Sequence, residues 1–200
     1  DWSSDVCSSD LGPFLWASTH SNFLCDVIPA GFEGPSPPKF LGKSTLFKFP
    51  IKSFVEYCGG LPLARAMDTG EHKMTKEQRA AQNRITFDAA IRALQAGWPV
   101  AIYPEGVSLA TPGLTLPLKP GAAKLALSAE EASGFSLKLR IQPLGLEYGS
   151  RTRVGSGLWI RYGKPLVIAD YRKLYEEDSD QAVRQLTEDL TRELIAVAPH

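Results

Sequence analysis

KEQRAAQNRITFDAAIRALQAGWPVAIYPEG, residues 76–106, decides the architecture of this chain. Ile85, Phe87, Ala90, Ile91 and Leu94 recur at helical spacing and predict a helix over 76–96 with these residues inward. Gly97 stands where a helix closes on a left-handed C′ residue. Val100–Tyr103 then reads as a short buried strand, with Pro104, Glu105 and Gly106 in the loop at its carboxyl end. A helix that feeds directly into a buried strand is the repeating unit of a layered α/β domain.

The same alternation extends in both directions. Upstream, PFLWAST (13–19) reads as a buried strand, followed by a turn and a helix opening near Asn22, with Ser21 or Asn22 as its cap. GFEGPSPP (31–38) is a loop by its Gly and Pro content. A basic, aromatic-rich stretch from Lys39 ends in an apolar strand over 60–64. Downstream, Pro120 sits where the first turn of a helix tolerates proline, and GAAKLALSAEEA continues that helix. KLRIQPLGLEY and GLWIRYGKPLVI are β-rich. A last helix starts between Asp178 and Asp180, with Val183, Leu186, Leu190, Leu194 and Ile195 expected to be buried. The expected fold is α/β, one β-sheet layer flanked by helices.

Length and composition suit one such domain. Two hundred residues bury a sizeable core without disulfides. Acidic and basic residues balance at 22 each, so no global field draws the chain to nucleic acid, and a bound anion needs a local site. Cys7, Cys25 and Cys58 form no CxxC pair, which argues against a zinc site or disulfide framework and fits a reducing compartment. No run reaches the roughly 18–20 apolar residues that span a bilayer. DWSSDVCSSDL (1–11) lacks helical or strand periodicity and has the look of translated sequencing adapter. It is expected to be a non-native or disordered leader, with the domain over 12–200 and a native N-terminus, with any membrane anchor, missing upstream.

Three features carry chemistry. His20 and Asp26 are six steps apart, a turn of roughly 600° on a regular helix, so they meet only if His20 stays in the turn after the strand. A carboxylate on one imidazole nitrogen leaves the other to take a proton from a hydroxyl. Taken alone, the pair reads better as a strand-end histidine and a carboxylate that accepts backbone N–H bonds. GGLPLAR (59–65) sets a guanidinium at a strand end, suited to phosphate or simply to solvent. YPEGVS (103–108) puts Glu105 and Gly106 where open α/β sheets bind ligands, and Lys119 precedes a helix whose N–H groups attract anions. An ordinary turn and an exposed lysine are the plain alternatives.

The order and spacing of these blocks are far less ordinary. HSNFLCD, GGLPLAR, YPEGVS and IQPLGLEY resemble the four blocks of the glycerol-phosphate and lysophosphatidate acyltransferase family, over roughly residues 12–164. The nearest branch is the one acylating glycerol 3-phosphate or dihydroxyacetone phosphate, which Asn83, Phe87 and LPLKPGAAKLAL resemble. The resemblance implies that His20 is the general base and Asp26 its orienting partner. It implies that Arg65, Glu105, Gly106, Ser108 and Lys119 hold the acceptor and its phosphate, and that Pro143 shapes the acyl-donor side. It implies acyl-CoA or acyl carrier protein as co-substrate, no metal and no cofactor, and work at the cytoplasmic face of a membrane.

The chain departs from the family pattern at three places. Thr19 stands where the family usually has Asn, Ser108 where many lysophosphatidate-acylating members have Arg, and Leu109 where this branch usually has His. The Ser108 departure shifts phosphate recognition toward Arg65 and Lys119. Lys39, Lys43, Lys48 and Lys52 interleave with Phe40, Leu46, Phe47, Phe49 and Phe54, which reads either as an interfacial patch or as a solvated helix face with its aromatics in the core. A serine hydrolase would need G-x-S-x-G, which is absent, and Gly42-Lys43-Ser44 lacks the earlier glycine that a P-loop requires at its fixed offset. His20, His72 and His200 lack metal-ligand spacing. The remaining rival is a lipid- or partner-binding domain on the same scaffold.

Overall fold

The computed structural model describes residues 13–19, 38–43, 52–57, 59–63, 75–106, 114–150 and 156–199. Within them a seven-stranded sheet forms from β1 (Phe14–Ser18), β2 (Lys39–Lys43), β3 (Gly60–Leu63), β4 (Val100–Ile102), β5 (Arg140–Tyr148), β6 (Leu158–Tyr162) and β7 (Leu166–Val167). The order is β3-β2-β4-β1-β5-β6, with β7 also paired to β5. The first five strands are mutually parallel, whereas β6 and β7 run antiparallel to β5. The carboxyl ends of β1 to β5 therefore share one edge of the sheet. This is the α/β sheet with flanking helices that the alternating pattern predicts.

The helices are α1 (Lys52–Tyr57), α2 (Lys76–Gln95), α3 (Gly121–Glu131), α4 (Arg172–Glu177) and α5 (Ser179–Val197), with a 3₁₀ turn at Ile168–Tyr171. Both ends of α2 obey local rules. Thr75 and Gln78 exchange side-chain-to-backbone hydrogen bonds in a capping box. At the other end Gly97 adopts φ +82°, its N–H bonds the Leu94 carbonyl and that of Trp98 the Ala93 carbonyl. That is the Schellman closure expected of a glycine at C′. At α5, the Asp178 side chain accepts the Gln181 N–H at 2.9 Å.

The larger core lies on one face of the sheet. Leu15, Ala17, Leu41, Val100, Ile102 and Ile141 meet Ala90 and Leu94 of α2, the alanine-rich α3, and Leu186, Leu190 and Leu194 of α5. Helix α3 packs against both α2 and α5, and its small residues allow that close approach. Glu130 is wholly buried there, yet its carboxylate accepts the N–H groups of Leu139 at 2.6 Å and Leu137 at 3.2 Å. Those two bonds compensate its desolvation and hold the loop leading into β5. On the opposite face Phe40, Val55 and Ala101 form a smaller cluster with Trp16.

Three expectations are corrected. Ile85 and Ile195 are exposed rather than buried, at 61% and 49%. On α2 the inward row is Thr86, Ala90 and Leu94, one helical step of about 100° from Ile85. Ile195 likewise stands one step past the row Leu186, Leu190 and Leu194. Third, Lys39–Lys43 is a strand rather than an undivided basic stretch, and it buries Phe40 and Leu41 on opposite faces. Phe40 is thus core, and the Lys39 ammonium lies 5.1 Å from the Trp98 ring at the amino edge of the sheet. Among the described residues no helix is long and apolar enough to cross a membrane.

Candidate active site at the carboxyl edge of the sheet

Parallel strands level their carboxyl ends here. Ala17 of β1 lies opposite Ile102 of β4 on one side and Pro143 of β5 on the other. Three residues past Ala17 comes His20, and three past Ile102 comes Glu105. On β3, Arg65 follows the last residue, Leu63, by two positions, and β3 is paired in register with β2. β1, β3 and β4, the strands that precede three of the four sequence blocks or hold their first residues, thus end on the same edge, and Pro143 of the fourth lies in the neighbouring strand β5. His20, Asp26, Arg65 and Ser108 themselves lie outside the described residues, as does the helix expected to open near Asn22.

The third block is built as a tight turn. The Gly106 N–H bonds the Tyr103 carbonyl at 3.1 Å, and Gly106 takes φ +69°, a region L-residues with a Cβ enter only with strain. Residues 114–119 return against this turn, with the Lys119 N–H on the Pro104 carbonyl at 2.8 Å. The Lys119 stem crosses directly over Gly106, where an added Cβ would stand 2.7 Å from Lys119 Cε. The left-handed backbone favours glycine at position 106, and any Cβ there would also displace the Lys119 stem.

Glu105 is only 4% exposed, and its Oε2 accepts the Thr115 N–H at 2.9 Å. That bond ties the returning segment to the turn. Lys119 is exposed, and the next residue, Pro120, caps α3 without a side-chain hydrogen bond. A cationic stem and an uncapped helix start thus adjoin a buried carboxylate at the end of β4. Positive helix-end charge and an ammonium together suit a phosphate. The structure brings Glu105, Gly106 and Lys119 together.

Pro143 is buried inside β5, with its carbonyl accepting the Gly163 N–H at 2.9 Å. A Cβ on Gly163 would meet the Pro143 ring at 2.9 Å, so ring and glycine are in direct contact. Gln142 Nε2 also bonds the carbonyls of Pro143 and Gly163. These bonds fix the turn after β6 against β5.

Two buried threonines at this edge escape sequence reasoning. Thr86 of α2 is 2% exposed and its hydroxyl donates to the Pro62 carbonyl. β3 lies at one end of the described sheet, and Pro62 is three residues before Arg65, so this bond ties the end of that strand to α2. Thr19 is 1% exposed and is bonded to β5 twice. No spacing rule marks either one. The only signal at Thr19 is its departure from the asparagine usual in the resembling family.

Residues 7–147 match the sequence model of a protein family described as Acyltransferase. Over 116 residues, 58% of this chain, the sequence is 34% identical to glycerol-3-phosphate O-acyltransferase 2 of Saccharomyces cerevisiae. The matched stretch spans 15% of the length of that yeast protein.

Proposed function

The chain belongs to the acyltransferase family, and from that premise we propose that it moves a fatty acyl group from a thioester onto a hydroxyl of a glycerol-phosphate acceptor. The donor is acyl-CoA or acyl carrier protein, and the acceptor glycerol 3-phosphate or a close relative such as lysophosphatidate. The observation that supports this reading is the level register of β1 and β4, which ends β1 beside the strand whose turn holds Glu105, Gly106 and Lys119, with His20 next in sequence after the described end of β1.

In this reading the reaction has no covalent enzyme intermediate. His20, oriented by Asp26, takes the proton of the acceptor hydroxyl as its oxygen attacks the thioester carbonyl. The C–O bond forms, the tetrahedral oxyanion collapses, and the C–S bond breaks to release a thiolate that takes up a proton. Holding the acceptor phosphate falls to Arg65, Lys119 and the start of α3, with Glu105, Gly106 and Ser108 shaping the pocket. Pro143 borders the donor side. Anchorage of the hydroxyl against the imidazole supplies the proximity term, since reacting atoms must be held within about 3–3.5 Å. The substrates place the work at a membrane surface, on its cytoplasmic face.

Thiol release from palmitoyl-CoA in the presence of glycerol 3-phosphate tests this directly. Acceptor-dependent thiol release is expected from the unaltered chain, and His20→Ala should abolish it while acceptor binding survives. Near-native turnover in that variant would end the mechanism. Acceptor binding without turnover in the unaltered chain would favour a binding domain instead.

A further inference from the structure

The end of β1 breaks the parallel ladder in a specific way. Ser18 lies opposite Leu144, so the next rung should run from the Thr19 N–H to the Leu144 carbonyl, then from the Leu146 N–H back to the Thr19 carbonyl. The first of these bonds is present at 3.0 Å. The second is replaced: the Leu146 N–H goes to the Thr19 hydroxyl oxygen, also at 3.0 Å. The Thr19 carbonyl accepts instead from Ser18 Oγ at 3.1 Å. A side chain has taken the place of the backbone acceptor, at a residue 1% exposed and opposite an amide of a residue 2% exposed.

We propose that Thr19 is the positioning residue for His20, its hydroxyl serving as the last rung of β1 so that the backbone leaves the sheet at the residue before the base. The inference rests on the reading of His20 as the general base. A buried N–H must find an acceptor, so the Leu146 amide constrains what the chain can do here. With a hydroxyl at position 19 the amide is satisfied while the Thr19 carbonyl stays turned away. Without one, the carbonyl has to swing in to complete the ladder, and the following residue, His20, swings with it. An asparagine carbonyl oxygen at this position is chemically able to serve the same end, which makes the Thr19 departure a conservative one. Valine has the shape of threonine but no acceptor. Serine keeps the acceptor and loses only a methyl group.

The test compares Thr19→Val, Thr19→Ser and Thr19→Ala in the 200-residue chain with palmitoyl-CoA and glycerol 3-phosphate. A displacement on the order of 1 Å costs about 100-fold in a positioned reaction, so kcat of Thr19→Val should fall about 10- to 100-fold. KM for glycerol 3-phosphate should change by less than about 2-fold, because the phosphate pocket is untouched. Thr19→Ser should keep kcat within about 3-fold of the unaltered chain. If Thr19→Val does not fold, the same contrast is read between Thr19→Ser and Thr19→Ala.

Hydrogen exchange at the Leu146 amide and the His20 imidazole resonances give a readout besides turnover. In Thr19→Val or Thr19→Ala the His20 resonances should shift and Leu146 exchange should change, and in Thr19→Ser neither should. Unchanged kcat in Thr19→Val, an equal loss in Thr19→Ser, or unmoved His20 resonances would each overturn the proposal. An unaltered chain that shows no acyl transfer would sink the proposed function, while the Leu146 and His20 signals would still decide the role of Thr19.

Discussion

Gly145→Ala should weaken the fold through one contact, and that contact can be removed independently. Gly145 sits in β5, where a Cβ would stand 2.7 Å from the Val197 carbonyl carbon and well inside the van der Waals contact distance of the Val197 carbonyl oxygen. Its backbone is not in the left-handed region, so alanine meets no conformational penalty there. Carbon contacts relax to about 3.5–4.0 Å, so the end of α5 must retreat by roughly 1 Å. Leu194 and Val197, 0% and 7% exposed, then lose part of their packing on the sheet. Overpacking of this kind costs about 1–3 kcal/mol, and the obstacle here is backbone, so the upper part of that range applies. At about 2–4 °C per kcal/mol for a chain of this size, Tm should fall by roughly 5–10 °C. Removing residues 197–200 deletes the obstacle, so Gly145→Ala on that shortened background should cost less than about 0.5 kcal/mol. Urea unfolding of the four chains gives the coupling energy directly, expected at about 2 kcal/mol. Equal costs of Gly145→Ala on both backgrounds would refute the reasoning.

Three further variants probe single contacts. Gly106→Ala forces a Cβ into a left-handed backbone at a cost of about 1–2 kcal/mol and against the Lys119 stem, and should raise KM for glycerol 3-phosphate several-fold. Lys119→Ala should raise it too, and unchanged KM in both variants would remove Lys119 from acceptor binding. Tyr175 has its phenol pushed up to about 12 by burial and by its hydrogen bond to Glu131. A folded pKa above the unfolded value of about 10 favours the protonated form, so this contribution is complete below pH 10 and is lost as pH rises through 12. Tyr175→Phe should therefore reduce the loss of stability between pH 10 and 12 while leaving its slope near pH 7 unchanged. Urea unfolding as a function of pH checks both.

Much of this molecule is written in local sequence. Glycine at 97 closes α2 because only the residue at C′ must turn left-handed, and Asp178 caps α5 through its own side chain. These are decisions made within four residues, and they are legible without tertiary context. The α/β alternation is legible for the same reason, because strand and helix periods differ. Glu105 and Gly106 at the end of β4 follow once that strand is recognised.

Other features required the fold. β2 hides in a basic stretch because Lys39 and Gly42 argue against a strand locally, while β3 and β4 on either side supply its ladder partners. Thr86 rather than Ile85 faces inward because the sheet beneath α2 selects the face, and periodicity alone leaves neighbouring stripes open. Thr19 and Gly145 depend on residues far along the chain: Thr19 on Leu146, 127 positions away, and Gly145 on the end of α5. Sequence by itself thus determined most of the strands and helices, though not β2, and which residue types collect near their ends. The tertiary structure decided which of those residues are held in place, because an unpaired amide or a backbone clash exists only after distant strands and helices have met.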